Sequence, residues 1–487
     1  MRNETFLQRG VVFAFVLISG LLLNCATNPV TGKRELMFMS ESQEIELGRE
    51  SDPQIVAMYG VYEDSALTQY IGALGQRMAA ISHRPDLPFT FRILDSPVVN
   101  AFALPGGFIY VTRGILAYVN NEAELAGVVG HEIGHVTARH STQQYSKAQL
   151  ASLGLGVGKV LSEDFRRYAG FAELGVGLLF LRFSRDNERQ ADELGVEYAT
   201  KSGYDASHMS NFFKTLERLG EGAAQGGLPG WFSTHPNPAD RVAATRRMAI
   251  ERQQEEGARQ WQVNRQTYLN MIDGLVYGED PRQGFVEGNT FYHPALRFQF
   301  PVPLNWVVTN APTHVQITSK EEDAAIMLSL EEGTDPQEAA RRFVDRSKAN
   351  VERAEPTSVS GFEAYRLISH LESNETSVHV LSYFIAKDGH MFVFHGLTTT
   401  ARFAAYRNDF ERTITNFAPL TDPDIISVEP ERITIVQVTT TAALSTILDR
   451  YPSSRQKKEE IALLNGMDAD EVVSAGTLIK VITSNKR

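Results

Sequence analysis

The sequence predicts an α+β chain of several domains, mainly helical in its first half and rich in strands in its second. Apolar residues recur at helical spacing over much of 40–256, with two short strands between the helices. From 289 to about 400 the pattern changes to strands separated by turn residues. A linker bearing proline and aspartate at 419–430 then precedes a short tail. The chain has 487 residues, which is enough for two or three domains.

The first residues have the pattern of an export signal. A short basic start precedes the apolar run 11–23, which is shorter than the roughly 20 residues that a membrane-spanning helix needs. Cys25 follows after Asn24 and is the only cysteine in the sequence. We therefore expect Cys25 to carry a lipid, as in bacterial lipoproteins, and the protein to lie in the periplasm, anchored to the outer membrane. Asn24 departs from the lipoprotein pattern and leaves an ordinary cleaved signal or an uncleaved anchor as alternatives.

Capping and turn signals place the individual elements. Ser40 with Gln43 three residues later predicts the start of a helix at 40–58. Further helices are expected at 65–81, 121–141, 206–219, 239–256, 336–350 and 401–416. Strands are expected at 89–94 and 107–111, and Lys387-Asp388-Gly389 predicts a hairpin between strands 378–386 and 390–397. The glycine-spaced apolar stretch 169–183 is too short for a membrane span and predicts a packed helix pair or a loop over the site.

Shifts in composition divide the chain into domains. We expect a signal peptide at 1–24, a main domain at 25–278, an α+β accessory domain at 279–420 and a small terminal module at 425–487. The net charge of −12 and the lack of a basic block exclude nucleic acid as a partner.

The strongest chemical signal is His131-Glu132-Ile133-Gly134-His135, in a segment predicted to be helical. Residues i and i+4 share one face of a helix, so both imidazoles can bind one metal ion. Glu132 then stands beside the open coordination position, where a carboxylate can accept a proton from water. This spacing predicts a zinc-dependent hydrolase.

A catalytic zinc needs a third protein ligand, and the stretch Ser184–Asp192 offers one. Glu188 and Asp192 are again spaced i and i+4. Glu188 could bind the metal while Asp192 hydrogen-bonds a ligand histidine. Such a pair is, by itself, more often a solvated helix face, so its interpretation depends on the first motif.

Four motifs together resemble the gluzincin metallopeptidase family that includes the CAAX prenyl protease and the bacterial periplasmic quality-control proteases. They are H-E-I-G-H, E-R-Q-A-D at 188–192, N-A-F-A-L-P-G-G-F-I-Y-V-T-R-G-I-L at 100–116 and S-T-H-P-N-P-A-D-R at 233–241. The resemblance covers roughly residues 35–275. It implies a mainly helical zincin-type domain with a small sheet, and one zinc ion per chain.

The resemblance also implies a role for each matching residue. Zinc would be held by His131, His135 and Glu188, with Glu132 as general base and acid, and Asp192 would orient His131 or the ligand helix. His235 would stabilise the transition state or occupy the open zinc position in a resting enzyme; the alternative is a histidine that caps the loop before Pro236. Arg241 would reach the oxyanion. Asn100, Ala101 and Phe102 would lie on an edge strand that pairs with extended substrate, although a simple hairpin turn at 105–107 is also compatible.

His140 follows the metal helix and is interpreted as a residue behind the ligands or on the surface. The accessory domain loosely resembles the PsbP-like proteins of photosystems. The tail resembles a LysM module through 461–466 and 474–481, although Thr439-Thr440-Thr441 replaces the usual Gly-Asp-Thr. Peptidoglycan binding and a role in docking or packing are therefore both open for the tail.

We therefore expect a zinc metalloendopeptidase of the bacterial envelope that acts on protein or peptide substrates, chiefly misfolded or misassembled envelope proteins. A chaperone-like assembly factor with secondary proteolysis is one alternative. A peptidoglycan-binding protein is the other, and it depends on the LysM-like tail alone.

Overall fold

The computed structural model describes residues 25–152, 182–222, 230–231, 235, 240–372, 377–455 and 457–484. The predicted signal peptide and most of the stretch 169–183 lie outside these ranges. The chain divides into two compact units. The first comprises the residues up to Val56, Gly60–Gly278 and Arg432–Thr483, and the second comprises Ala57–Tyr59, Glu279–Glu431 and the residues after Thr483. The predicted multidomain α+β class is confirmed. Within the described ranges, no helix is long and apolar enough to cross a bilayer.

The first unit begins with helices and two small sheets. Its helices are α1 (Glu41–Tyr59), α2 (Ser65–Ala79), α3 (Arg113–Tyr118), α4 (Glu122–Thr137), α5 (His140–Ser152), α6 (Arg185–Lys201), α7 (His208–Gly222), α8 (Arg241–Glu255) and α9 (Arg265–Met271). Its strands before residue 278 are β1 (Cys25–Thr27), β2 (Arg34–Leu36), β3 (Thr90–Leu94), β4 (Ala101–Leu104) and β5 (Phe108–Thr112). Ser40 caps α1 as predicted, because its hydroxyl accepts from the Gln43 N–H while the Gln43 side chain accepts from the Ser40 N–H.

The three-stranded sheet has the order β3-β5-β4. β3 and β5 are parallel, whereas β4 pairs with β5 in the antiparallel sense. Gly106 and Gly107 turn the chain between β4 and β5 with φ angles of +82° and +99°, which side chains rarely adopt. β4 therefore lies at the edge of the sheet, where it packs against α4.

The helix predicted at 121–141 is interrupted. α4 ends at Thr137, and Arg139 adopts a left-handed conformation with φ +59° before α5 begins. The Arg139 guanidinium donates to Glu44 Oε1 at 2.6 Å and to the Met39 carbonyl at 2.6 Å. These contacts from the α1 region offset the cost of about 1–2 kcal/mol for this backbone conformation. Glu44, which lies 95 positions earlier in the chain, thus helps to interrupt the helix. Local helical spacing could not predict such a contact.

The second unit is organised around one large antiparallel sheet. Its strands are β6 (Phe285–Glu287), β7 (Thr290–His293), β8 (Phe298–Pro301), β9 (Val307–Ala311), β10 (His314–Thr318), β11 (Ala324–Glu331), β12 (Asn350–Val359), β13 (Phe362–Glu372), β14 (Ser377–Lys387), β15 (His390–Thr399) and β16 (Ala418–Pro419), with helices α10 (Pro336–Ser347), α11 (Phe403–Thr415) and α12 (Pro423–Ile426). The seven-stranded sheet has the order β12-β13-β14-β15-β11-β10-β9, and β16-β8-β7-β6 form a smaller one.

Both faces of the large sheet are covered. Along β15, Phe392 and Phe394 join the core that contains α11 and β8, whereas Met391 and Val393 join the core beneath α10. This alternation follows from the two-residue period of a strand. Asp388 and Gly389, with φ +50° and +79°, form the predicted two-residue turn between β14 and β15.

The tail belongs to the first unit. It contains β17 (Arg432–Gln437), β18 (Ala442–Ala443), α13 (Leu444–Leu448), α14 (Pro452–Arg455), α15 (Lys458–Leu464), β19 (Val472–Val473) and β20 (Leu478–Thr483). The predicted strand, two helices and strand correspond to β17, α13, α15 and β20, and the structure adds α14 and the short pair β18 and β19. However, Ile433, Ile461 and Ile479 share one hydrophobic core with α4 and α6, so Arg432–Thr483 is not a separate compact unit. The linker at 419–430 suggested a domain boundary before the tail. The position of a linker does not show which side chains of the tail are buried against other elements.

Candidate metal centre

The metal centre begins with two helices, α4 and α6, that cross in backbone contact. All residues of α4 are buried. A Cβ atom at Gly130 would lie 3.0 Å from the Gly195 carbonyl oxygen, and one at Gly195 would lie 3.0 Å from the His131 nitrogen. Glycine at both positions therefore allows the helix with the two histidines to lie directly on the helix with Glu188 and Asp192.

Four donor side chains converge at this crossing. His131, His135, Glu188 and His235 each place one ligand atom within 4.8 Å of the others, and all four are fully buried. The Nε2 atoms of His131 and His135 lie 3.0 Å apart, and His235 Nδ1 lies 3.0 Å from Glu188 Oε1. Glu188 Oε1 lies 3.5 Å from His135 Nε2. The structure therefore brings together the three residues predicted as zinc ligands and adds His235 to them.

Glu132 lies beside this cluster without a donor. Both of its carboxylate oxygens are buried, and neither accepts a hydrogen bond from the residues that the structure describes. His235 Nε2 is 3.8 Å from Glu132 Oε1, beyond hydrogen-bonding distance. A buried carboxylate without donors is costly, because it has lost its hydration without replacement. Glu132 is thus placed to accept from a water molecule or a substrate group at the site.

Asp192 and Arg241 support the ligands from behind. Asp192 Oδ1 lies 2.9 Å from Nδ1 of His131, one of the two groups that it was expected to orient. Arg241 donates to Asp192 through Nε at 2.9 Å and Nη2 at 2.6 Å, and its Nη1 lies 3.3 Å from Glu188 Oε2. Its guanidinium carbon also stands 4.0 Å above the Phe213 ring. These contacts occupy the guanidinium with Asp192, Glu188 and Phe213. They favour a role in holding the ligand residues in place over the expected contact with an oxyanion.

His140 fixes the tautomer of His135. His140 Nε2 lies 2.9 Å from Gln190 Oε1, and its Nδ1 lies 2.9 Å from His135 Nδ1. Burial lowers the pKa of His140 to about 4, so the ring is neutral at pH 7 and carries one proton. Because the Gln190 oxygen can only accept, that proton is on Nε2. His135 must then donate from Nδ1, which leaves the lone pair of its Nε2 for a metal.

The charges of the site suit a metal. Burial lowers the pKa of His135 well below its ordinary range, which keeps the ring neutral. Burial by itself raises the pKa of Glu188, but the surrounding His235, Arg241 and His131 outweigh it, so that carboxyl remains ionised. Burial raises the pKa of Glu132 above its ordinary value, although His235 and His131 act in the opposite direction. A carboxylate with a raised pKa is a better proton acceptor.

Aromatic rings form part of the wall. Phe183 stacks on His135 with ring centroids 4.0 Å apart, and Trp231 stacks on His235 at 4.4 Å. Neither ring was predicted from the sequence, nor was the bond from His140 to His135. Aromatic residues occur throughout this chain, and their spacing from the motifs carries no signal of contact with the site.

The pairing of β4 shows which backbone groups face outwards. The Thr112 N–H donates to the Asn100 carbonyl, so alternation places the N–H and C=O groups of Asn100 and Phe102 towards β5. Those of Val99, Ala101 and Ala103 then face the opposite edge, where the Trp231 N–H donates to the Val99 carbonyl at 3.1 Å. Of the three expected substrate-binding residues, only Ala101 therefore turns its N–H and C=O groups to this edge, whereas Asn100 and Phe102 turn theirs to β5. The Ala103 carbonyl on the same edge accepts from Ser141 Oγ at 3.5 Å.

Comparison with known proteins identifies the family. Residues 65–249 match the family model described as Peptidase family M48. The mitochondrial metalloendopeptidase OMA1 of Schizosaccharomyces pombe is 30% identical over 244 residues, which cover 49% of this chain and 68% of that protein. The chain belongs to peptidase family M48. The beta-barrel assembly-enhancing protease of Yersinia pestis is 32% identical over 255 residues, covering 50% of this chain and 52% of that protein. The chain thus spans about half the length of this relative.

M48 metallopeptidases use zinc, and the donors of this chain fit that ion. Imidazole nitrogens and a carboxylate oxygen are zinc ligands, and both ligand histidines of α4 present Nε2 to a shared point because their Nδ1 atoms are engaged elsewhere. A PsbP structure from Synechocystis covers 28% of this chain and 96% of its own, with 17% identity and a TM-score of 0.24. The PsbP-like character of the second unit remains a prediction.

Proposed function

We propose that this M48 protein is a zinc metalloendopeptidase of the bacterial envelope, holding one zinc ion through His131, His135 and Glu188. The observation that carries this proposal is the buried donor cluster beside Glu132, whose oxygens have no donor among the described residues. Zinc supplies a Lewis acid that polarises a carbonyl and makes water more acidic. Glu132 accepts the proton of the attacking water and returns it to the leaving amine.

The supporting residues keep the ligands in the correct protonation state. Asp192 Oδ1 lies 2.9 Å from His131 Nδ1, and the hydrogen bonds that join Gln190, His140 and His135 fix the tautomer of His135. His235 lies within the donor cluster, 3.4 Å from His131 Nε2. Four protein donors would close a tetrahedral zinc site, whereas catalysis needs one open position. We therefore propose that His235 occupies the fourth position at rest and leaves it when substrate binds.

The substrate is proposed to be an unfolded or misassembled envelope protein. An extended chain can pair with the outer edge of β4 through Ala101, a geometry that reads backbone and tolerates many sequences. The relatives named beta-barrel assembly-enhancing protease support a role in the quality control or assembly of outer-membrane proteins. Lipidation at Cys25, and with it anchoring to the outer membrane, is part of the same proposal.

Zinc content and cleavage of an unfolded protein test this function. The mature chain should contain about one zinc per molecule and should cleave casein, lose that activity to a chelator and regain it with zinc. Glu188→Gln should lose both zinc and cleavage. Glu193→Gln provides a matched control, because Glu193 is on the same helix but exposed. A mature chain that cannot bind zinc would contradict the proposal.

Lipidation and cell-wall binding are tested separately. Labelling with a fatty-acid probe should mark the wild type and spare Cys25→Ser, and a label that persists in the variant would contradict lipidation at this residue. Retention of the full chain on purified peptidoglycan, lost on deletion of 425–487, would instead support the alternative of a wall-binding tail. No retention of the full chain would remove that alternative.

A further inference from the structure

A lysine of the tail is buried inside the first unit. Lys480, on β20, is fully buried, and its Nζ donates to the carbonyl oxygens of Ala117 at 2.7 Å, Val119 at 2.6 Å and Leu464 at 2.7 Å. Three acceptors match the three N–H donors of an ammonium group. Burial lowers the pKa of Lys480 well below its ordinary range, and the three carbonyl oxygens compensate the nitrogen for the hydration that it has lost. A single side chain of the tail therefore binds the end of α3 and the segment that leads from α3 to α4.

This segment leads directly into the metal helix. Asn121 caps α4 by accepting from the Glu124 N–H at 2.9 Å. The Glu124 carboxylate in turn accepts from the Asn120 N–H at 2.8 Å and from the Asn121 side chain at 2.9 Å. Glu124 is buried, and its carboxyl lies near enough to Lys480 for the two groups to affect each other's pKa. The polar groups around the first turn of α4 thus form one bonded network, and Lys480 binds the chain just before it through the Ala117 and Val119 carbonyls.

Two further contacts hold the tail at this place. Arg265 donates to the Asn120 carbonyl at 2.9 Å and to the Leu478 carbonyl at 3.2 Å, so it also joins β20 to the start of α4. Arg218, on α7, donates to the Met467 carbonyl at 3.1 Å. Arg265 and Arg218 therefore attach the tail through hydrogen bonds to its backbone carbonyls, in addition to apolar packing.

The position of α4 determines the geometry of the metal centre. Gly130 and Gly195 allow α4 to lie against α6 in backbone contact, so the placement of α4 sets where its histidines meet Glu188. The bonds at the N-terminus of α4 restrain that placement. We propose that Lys480 is a positioning residue for the metal centre, and that Arg432–Thr483 is a clamp that fixes α4 so that His131, Glu132 and His135 meet Glu188. This inference rests on the proposed zinc peptidase function.

Replacement of Lys480 by methionine tests the clamp. Lys480→Met keeps most of the length of the side chain and removes all three donors. The matched control is Lys458→Met, because Lys458 lies on the same tail but pairs with Asp449 near the surface. Both full-length mature variants are assayed below their unfolding transitions, where circular dichroism shows them folded. The measurements are kcat, KM and zinc affinity by competition with a chromophoric chelator.

If Lys480 positions the metal centre, its replacement should change the activity and the zinc affinity of the folded protein. Lys480→Met should lower kcat about tenfold or more, since small displacements of reacting groups cost up to about 100-fold. KM should change less than about twofold because the edge of β4 is not held by Lys480, and the Kd for zinc should rise about tenfold, as for lost supporting contacts. A merely structural role lowers the unfolding midpoint and leaves kcat and zinc affinity of the folded fraction unchanged. That second result would overturn the inference.

Arg265→Gln keeps the test decisive if Lys480→Met does not fold. This variant removes the bonds to Asn120 and Leu478 from a half-buried position, and its kcat and zinc affinity should fall in the same direction. A folded Arg265→Gln protein with wild-type kcat and zinc affinity would then overturn the inference. If the wild type binds zinc but cleaves nothing, the proposed function fails, and the zinc affinities of the variants still decide whether the clamp exists.

Discussion

Asp192→Asn probes how the supporting residues act on the metal ligands. The carboxylate makes three contacts, with His131 Nδ1 at 2.9 Å and with Arg241 Nη2 and Nε at 2.6 and 2.9 Å. An asparagine of the same shape can keep one oxygen towards His131 and Nη2. Its NH₂ group then faces the Nε–H of Arg241, donor against donor. The buried guanidinium loses one charge-assisted bond and one of its two acidic partners, while Glu188 Oε2 stays 3.3 Å from Nη1.

The magnitude follows from these contacts. A charge-assisted hydrogen bond contributes about 1.5–3 kcal/mol, and breaking a buried ion pair by removing one partner costs about 3–5 kcal/mol. We therefore expect the zinc-free variant to lose about 3–5 kcal/mol in its free energy of unfolding. The affinity for zinc should fall about 10- to 100-fold, because the ring of His131 is no longer held by a carboxylate.

Chemical denaturation and chelator competition measure both effects. The control is Asp186→Asn on the same helix, since Asp186 is exposed and, within the described part of the chain, its ion pair is with Arg189 at 3.3 Å; it should change stability by less than about 0.5 kcal/mol. Burial by itself raises the pKa of Asp192, but Arg241 and His131 outweigh it and lower the pKa below its ordinary value. Its stabilisation is therefore present above pH ~4 and is lost as the pH falls through the folded-state pKa, so the difference between wild type and variant should shrink in acid. A variant with wild-type stability at pH 7 and wild-type zinc affinity would refute this reasoning.

Three more substitutions test other parts of the site. His140→Ala should weaken zinc binding by about tenfold, because His135 loses the partner that fixes its tautomer; unchanged affinity in the chelator assay would contradict this. Gly195→Ala should lower the free energy of unfolding by about 1–3 kcal/mol, since the added carbon lies 3.0 Å from the His131 nitrogen, and equal denaturation midpoints would contradict the close packing. His235→Ala should raise the cleavage rate of unfolded substrate at saturating zinc if the ring blocks the fourth position, whereas a lower rate would assign it to transition-state stabilisation.

The sequence predicted the parts of the site that depend on local spacing. The i, i+4 pairs of His131 with His135 and of Glu188 with Asp192 need only a helix to share a face, and both segments are helical in the structure. The meeting of the two pairs came from the family resemblance, because nothing in the spacing shows that α4 and α6 cross.

Features set by distant contacts escaped prediction. Glu44 and Met39 hold Arg139 in the left-handed conformation that interrupts the predicted helix and brings His140 back to His135. The tail was expected to be a separate module because a linker precedes it. Its lysine, however, lies on carbonyl groups more than 360 residues earlier in the chain. Such contacts leave no periodic trace in a sequence.

The most direct test of the central claim compares wild type with Glu132→Gln. Glu132 lies beside the donor cluster and is not one of its four donors, so the variant should bind zinc with unchanged stoichiometry. Cleavage of an unfolded protein should fall by about 100-fold or more, because the group that transfers the proton is gone. A Glu132→Gln protein that carries zinc and cleaves at the wild-type rate would contradict the account.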